Sequence, residues 1–187
     1  MDAPAAYMNP GHHFGTFKFR EVKICQHLGN RRVDLLADGA YAGKQLRELP
    51  RQVSVTTRLH ADACLYRLPP PRRPGTRGRP PTRGERLPDL TRLAGMVTTP
   101  FGLHQVSRYG HGGLAAIAGF TCLWPGVFGT RPVQVVLVRP PDAPDGFDLA
   151  LVTTDLAATP QALVERYAAR WQVEVCFRQM RQDAGVG

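Results

Sequence analysis

The chain has 187 residues, 43% of them hydrophobic, and a formal net charge of +9. That length allows one or two domains with a packed core. A cationic surplus of this size argues against a small-metabolite enzyme and for a polyanionic partner, nucleic acid first.

Arginine supplies nearly all of the positive charge, the only lysines being Lys18, Lys23 and Lys44. The four cysteines, Cys25, Cys64, Cys122 and Cys176, stand far apart without a C-x-x-C pair. This argues against a zinc ribbon or a secreted disulfide framework and fits a reducing cytoplasm. The N-terminal residues MDAPAAYMNPGHH lack the basic start and apolar core of a signal peptide. The uncharged run Tyr109–Thr130 holds several glycines, His111 and Pro125, and reads as buried strand with turns, not a membrane span. A soluble chain without a membrane partner is expected.

Residues 14–24 alternate weakly like a strand, and a Gly-Asn turn signal follows. Val33–Asp38 is a short apolar run closing on an acid and then Gly39, the pattern of a buried strand whose C-terminal end carries Asp38. Gly43–Leu49 reads as a short helix ended by Pro50, and Gln52–Leu59 as a β-branched strand. Residues 67–92 carry eight arginines against two acids among many prolines and glycines, which predicts a solvated loop. Strands are expected around Gly95–Thr99, Leu114–Leu123, Pro132–Val138 and Phe147–Thr153, forming a small antiparallel sheet. Thr159 then caps a helix with Pro160 in its first turn, running to about Gln182.

On that helix Tyr167, Arg170, Glu174 and Arg181 are spaced by 3, 4 and 7 and share one face. Ala169, Val173, Cys176, Phe177 and Met180 form the expected core face, so the charged stripe is expected to project away from the core. Spacing alone favours an ordinary surface stripe of weak ion pairs. The wording is more specific. Residues 167–181 resemble the Y-x2-R-x3-E-x6-K signature of a large group of bacterial insertion-sequence DDE transposases, with Arg181 in place of Lys. The surrounding TTDLAATPQALVERYAARWQVEVCFRQMRQDAGV is similar to that group's text around its catalytic Glu. LLADGAYAG resembles the stretch with its second catalytic Asp, here Asp38, and RGRPPTRGERLPDL resembles a linker between the two blocks.

The resemblance implies an α/β fold: a partial ribonuclease H-like core interrupted by a β-rich insertion and closed by a long catalytic helix. Residues 1–59 would hold the core with the second-Asp strand, 60–156 the insertion with its basic loop 67–92, and 157–187 the catalytic Glu helix. The 136 residues separating Asp38 from Glu174 leave room for the insertion. It further implies metal-dependent cleavage and strand transfer on DNA, at transposon ends and target, with two Mg2+ ions. Asp38 and Glu174 would be catalytic metal ligands, since hard divalent cations take carboxylate oxygens. Tyr167, Arg170 and Arg181 would hold DNA phosphates, and the full-length family member could form a homo-oligomer. The first Asp of the family's three is not recognised: among the preceding acids Asp2, Glu21 and Asp34, none stands in matching text. A truncated chain without activity of its own is therefore expected, against the alternatives of a non-catalytic DNA-binding module or a remnant.

Arg72, Arg73, Arg77 and Arg79 of the basic loop would add non-specific phosphate affinity. Arg77-Gly78-Arg79-Pro80 also resembles the core of an AT-hook, although a flexible basic linker is favoured. Trp124 could stack on an extruded base, but a core role is favoured. Asp155 reads as a turn residue, and the pair His12 and His13 does not read as a metal site.

Overall fold

The computed structural model describes residues 31–170, apart from 73, 76, 97, 109 and 144. Six strands form one sheet: β1 (Val33–Ala37), β2 (Val53–Arg58), β3 (Gly102–Arg108), β4 (His111–Leu123), β5 (Pro132–Arg139) and β6 (Leu149–Thr153). Their order is β1-β2-β6-β5-β4-β3. β1 and β2 are parallel, with Val33 opposite Val53 and Ala37 opposite Thr57. All other pairings are antiparallel. A parallel pair needs a crossover, supplied here by two 3-10 segments, Gly39–Tyr41 and Lys44–Glu48.

The result is a mixed α/β fold. Three of the four expected antiparallel strands form, but not as a sheet of their own. β6 pairs with β2 through Thr56 opposite Thr153 and Arg58 opposite Leu151, so the 60–156 segment extends the β1–β2 pair. Among the described residues around Gly95–Thr99 there is no strand: Leu90–Gly95 is a short helix whose Asp89 carboxylate accepts from Arg92 N at 2.8 Å. Leu90, Leu93 and Ala94, at i, i+3 and i+4, are its buried face. The expected helix Gly43–Leu49 is a 3-10 segment, with Leu46 fully buried.

The loop reading of 67–92 also needs revision at both ends. Arg67 N donates to Glu85 O at 2.8 Å, Leu87 N to Leu65 O at 2.8 Å, and Tyr66 bridges to both Arg86 and Leu123. The base of the loop is therefore pinned, while Arg72, Arg77 and Arg79 on its outer part are exposed.

Both faces of the sheet are covered. On one, alternate strand positions are filled by Leu35, Val55, Val133, Val135, Leu137 and Val152, which pack with Leu46, Leu65, Leu90, Trp124 and Phe128. Trp124 belongs to this core, its ring edge-on to Phe128 at 6.1 Å, so the core reading holds for it. Arg47 ties the crossover to the short helix Pro125–Phe128, donating from Nε to Val127 O at 2.9 Å and from Nη2 to Gly126 O at 3.0 Å.

The other face carries the helical residues 160–170. Thr159 caps them as expected, its hydroxyl accepting from Ala162 N at 3.2 Å. Leu163, Val164 and Tyr167 pack on Val106, Ala115, Ile117, Val136, Val138 and Leu151. Full burial of side chains like Leu163 and Val164 contributes about 1.5–3 kcal/mol each. The fit is close at the start of the helix: a Cβ on Gly119 would stand 2.7 Å from Pro160 Cγ. Among the described residues no helix is long and apolar enough to cross a membrane.

Candidate active site and nucleic-acid interface

Asp38 follows β1 directly and is exposed. Its neighbours Asp34 and Leu36 lie on the face opposite Leu35 and Ala37, and strand alternation carries Asp38 to that same side, the one facing the helix. The next strand, β2, runs parallel and ends at Arg58. Thr57 Oγ1 donates to Asp38 O at 3.0 Å, fixing the strand end. Gly39 lets the chain turn sharply beneath this neighbour, because a Cβ there would meet Arg58 O at 3.2 Å and His60 Nε2 at 2.9 Å.

Asp34, two repeats of the pleat earlier, is differently placed. Ser54 Oγ donates to its Oδ1, and Arg166 Nη1 of the helix lies 2.9 Å from its Oδ2. Arg166 also approaches Asp155 Oδ2 at 3.5 Å. Asp155 behaves as the expected turn residue, accepting from Ala157 N at 3.2 Å. Asp34 is thus engaged in holding the helix to β1, whereas Asp38 presents its carboxylate at an exposed strand end.

The helix differs from the sequence reading in its orientation. Tyr167 is 5% exposed and sits in the core, while Ala169, expected on the core face, is exposed. The physical reason is the stripe Leu163, Val164, Tyr167 and Ala168: seating the phenol ring on the sheet removes far more apolar surface from water than an Ala methyl would. Arg170 lies beside that ring, its guanidinium carbon 5.2 Å from the ring centroid. Glu174, Arg181 and Arg73 lie outside the described residues.

Tyr167 and Arg170 line a cleft of about 610 Å3 that opens where β2 ends, with Arg58 beside them. Arg58 pairs with Leu151, whose side chain is in the helix-side core, so the guanidinium stands on the helix-facing side. Asp38 and the cleft therefore share one edge and one face of the sheet, Asp38 at the end of β1 and Arg58 at the end of the adjacent strand. Neighbouring strands lie about 4.8 Å apart. Sequence reasoning missed Arg58. Its only signal was its place at the end of a β-branched run.

Among the described residues no three His, Cys, Asp or Glu side chains converge as a metal cluster. Asp38 has the right chemistry for a hard divalent cation, as an oxygen donor not engaged by the Arg166 ion pair.

A family model described as DDE superfamily endonuclease matches residues 22–109. The match takes in β1, Asp38, β2, the basic loop and β3, just under half of the chain, and ends before helix 160–170. It supports a DDE-type transposase family, a nuclease-type chemistry and DNA as substrate. DDE endonuclease domains generally use divalent metal ions. No curated protein matches the chain.

Proposed function

We propose that this chain carries the second and third acids of an insertion-sequence DDE transposase site, Asp38 and Glu174, and binds DNA across the helix-facing side of the sheet. The observation that carries the reading is the shared edge: an exposed carboxylate closes β1, and a cationic cleft opens at the end of the next parallel strand. Strand cleavage is an in-line displacement at phosphorus, and divalent ions bound at this edge would supply activation of the attacking oxygen and stabilisation of the leaving one. Asp38 and Glu174 would hold Mg2+ there. Arg58 and Arg170 would neutralise and orient the phosphates. Arg181 would extend that row, and Tyr167, its ring in the core, would act mainly by seating the helix. The exposed Arg72, Arg77 and Arg79, with Arg73, would add sequence-independent affinity from the loop.

Three carboxylates fix the metals in this chemistry, and two are assigned here. The chain is therefore expected to bind DNA without cutting it. The test measures binding of duplex DNA and nicking of supercoiled plasmid, with and without Mn2+, for the parent, Asp38→Ala and Glu174→Ala. The expected result is salt-sensitive binding that Mn2+ strengthens only in the parent, with no nicking by any of the three. Parent binding indifferent to Mn2+ would contradict the metal assignment. Nicking by the parent that both substitutions remove would contradict the two-acid account.

A further inference from the structure

The cleft has a second wall that neither the sequence signature nor the family match explains. It is the tip of the β3–β4 hairpin, contributing Arg108, His111, Gly112 and Gly113 opposite Arg58 and Arg170. The register fixes which way these residues face. Arg108 pairs with His111 and Val106 with Gly113, and Val106, Ala115 and Ile117 belong to the helix-side core. Alternation along the strands therefore turns Arg108, His111 and Gly113 toward the helix as well. Among the described residues, three guanidiniums from β2, β3 and the helix ring the cleft, against the one carboxylate of Asp148.

The floor is bare. A Cβ built on Gly113 meets no described atom within 4 Å, and its φ lies outside the left-handed region, so the backbone itself does not call for glycine there. A β-branched residue would suit the strand better. Glycine at such a position leaves space for something to approach the backbone closely. At about 610 Å3 the cleft falls within the size range of ligand pockets. It has room for about one or two nucleotides of a single strand and is too small to seat a double helix.

Resting on the DNA-binding reading above, we propose that this cleft binds the phosphate backbone of a single DNA strand, with the hairpin tip and the helix as its two jaws. Arg108 contacts phosphates from the hairpin side and Arg58 and Arg170 from the other, while Gly113 lets the backbone lie against the sheet. Positively charged grooves track single strands in this manner, with a strong dependence on salt. The site holds an unpaired end beside the Asp38 edge, and the exposed arginines of loop 67–92 serve duplex.

The experiment is fluorescence anisotropy at low salt with the full chain and two probes: a short labelled oligothymidylate and a duplex. Gly113→Val fills the floor in a strand-compatible way, and Arg108→Ala removes one jaw without affecting the core. Thermal melts accompany both. Expected is a tenfold or greater loss of oligothymidylate affinity in Gly113→Val with an undiminished melting temperature. In Arg108→Ala a weaker loss is expected, with a shallower salt slope. Duplex affinity should change by less than twofold in either. Unchanged oligothymidylate binding in both variants would overturn the cleft assignment while leaving salt-dependent duplex binding, and the DNA reading, intact. A parent that binds neither probe would overturn both.

Discussion

Arg166 reaches from the helix to β1, its Nη1 2.9 Å from Asp34 Oδ2, so the one acid inside β1 is neutralised by the element that covers it. The pair is about one-third exposed on each side, and the contact is an ion pair by proximity, not an aligned hydrogen bond. Solvent screening keeps its worth modest. Arg166→Ala is expected to lower stability by about 0.5–1 kcal/mol. Urea denaturation checks this, and a loss above about 2 kcal/mol would mean that Asp34 is left far less solvated than its exposure indicates.

Gly119 faces the first turn of the helix, and the Pro160 ring cannot swing aside as a flexible chain end would. Gly119→Val should therefore push the helix off the sheet at a cost of about 1–3 kcal/mol. That corresponds to a melting temperature lower by several degrees, at about 2–4 °C per kcal/mol for a chain of this size. The same substitution at Gly113 should cause no such loss. Equal melting temperatures for both variants would contradict the helix placement.

Cys122 lies in the core on the face away from the helix, where burial pushes its thiol from 9.0 up to about 12. It should resist alkylation at pH 8 until denaturant is added, while the exposed Cys64 reacts at once. The folded state keeps this proton at pH values where the unfolded chain loses it. Stability is thus unaffected below about pH 9 and falls as pH rises from 9 toward 12, by at most about 1.4 kcal/mol per unit. Urea melts at pH 8 and pH 10.5 should show a smaller drop for Cys122→Ala than for the parent. Peptide mass mapping that found Cys122 labelled at the same rate as Cys64 would contradict its burial.

Parts of the fold were legible because local pattern and tertiary environment agree. β1, β2 and β5 are short apolar or β-branched runs buried where they were expected. β3 carries little sequence signal because it is the outer strand, with Val106 as its only fully buried residue between exposed polar ones. The Leu90–Gly95 helix was masked by the Arg/Pro text around it, although Asp89 was a readable cap. Sheet order was not legible at all, since β6 enters between β2 and β5 through pairings about a hundred positions apart in sequence. The strand-end position of Asp38 is legible from the apolar run that precedes it. On the helix Tyr167 shares the spacing of the charged residues, but the apolar area of its ring seats it in the core. Arg58, Arg108 and His111 could not be grouped from sequence, because only the sheet brings them to one cleft.

In the proposed site Asp38, and not Asp34, joins Glu174 in holding a divalent cation. The most direct test is a Mn2+ titration followed by the electron paramagnetic resonance signal of the free ion, on the parent, Asp38→Asn, Asp34→Asn and Glu174→Gln. The account predicts at least a tenfold weaker affinity in Asp38→Asn and in Glu174→Gln, and an unchanged affinity in Asp34→Asn, whose carboxylate is already held by Arg166. Parent-like affinity in Asp38→Asn, or its loss in Asp34→Asn alone, would contradict it.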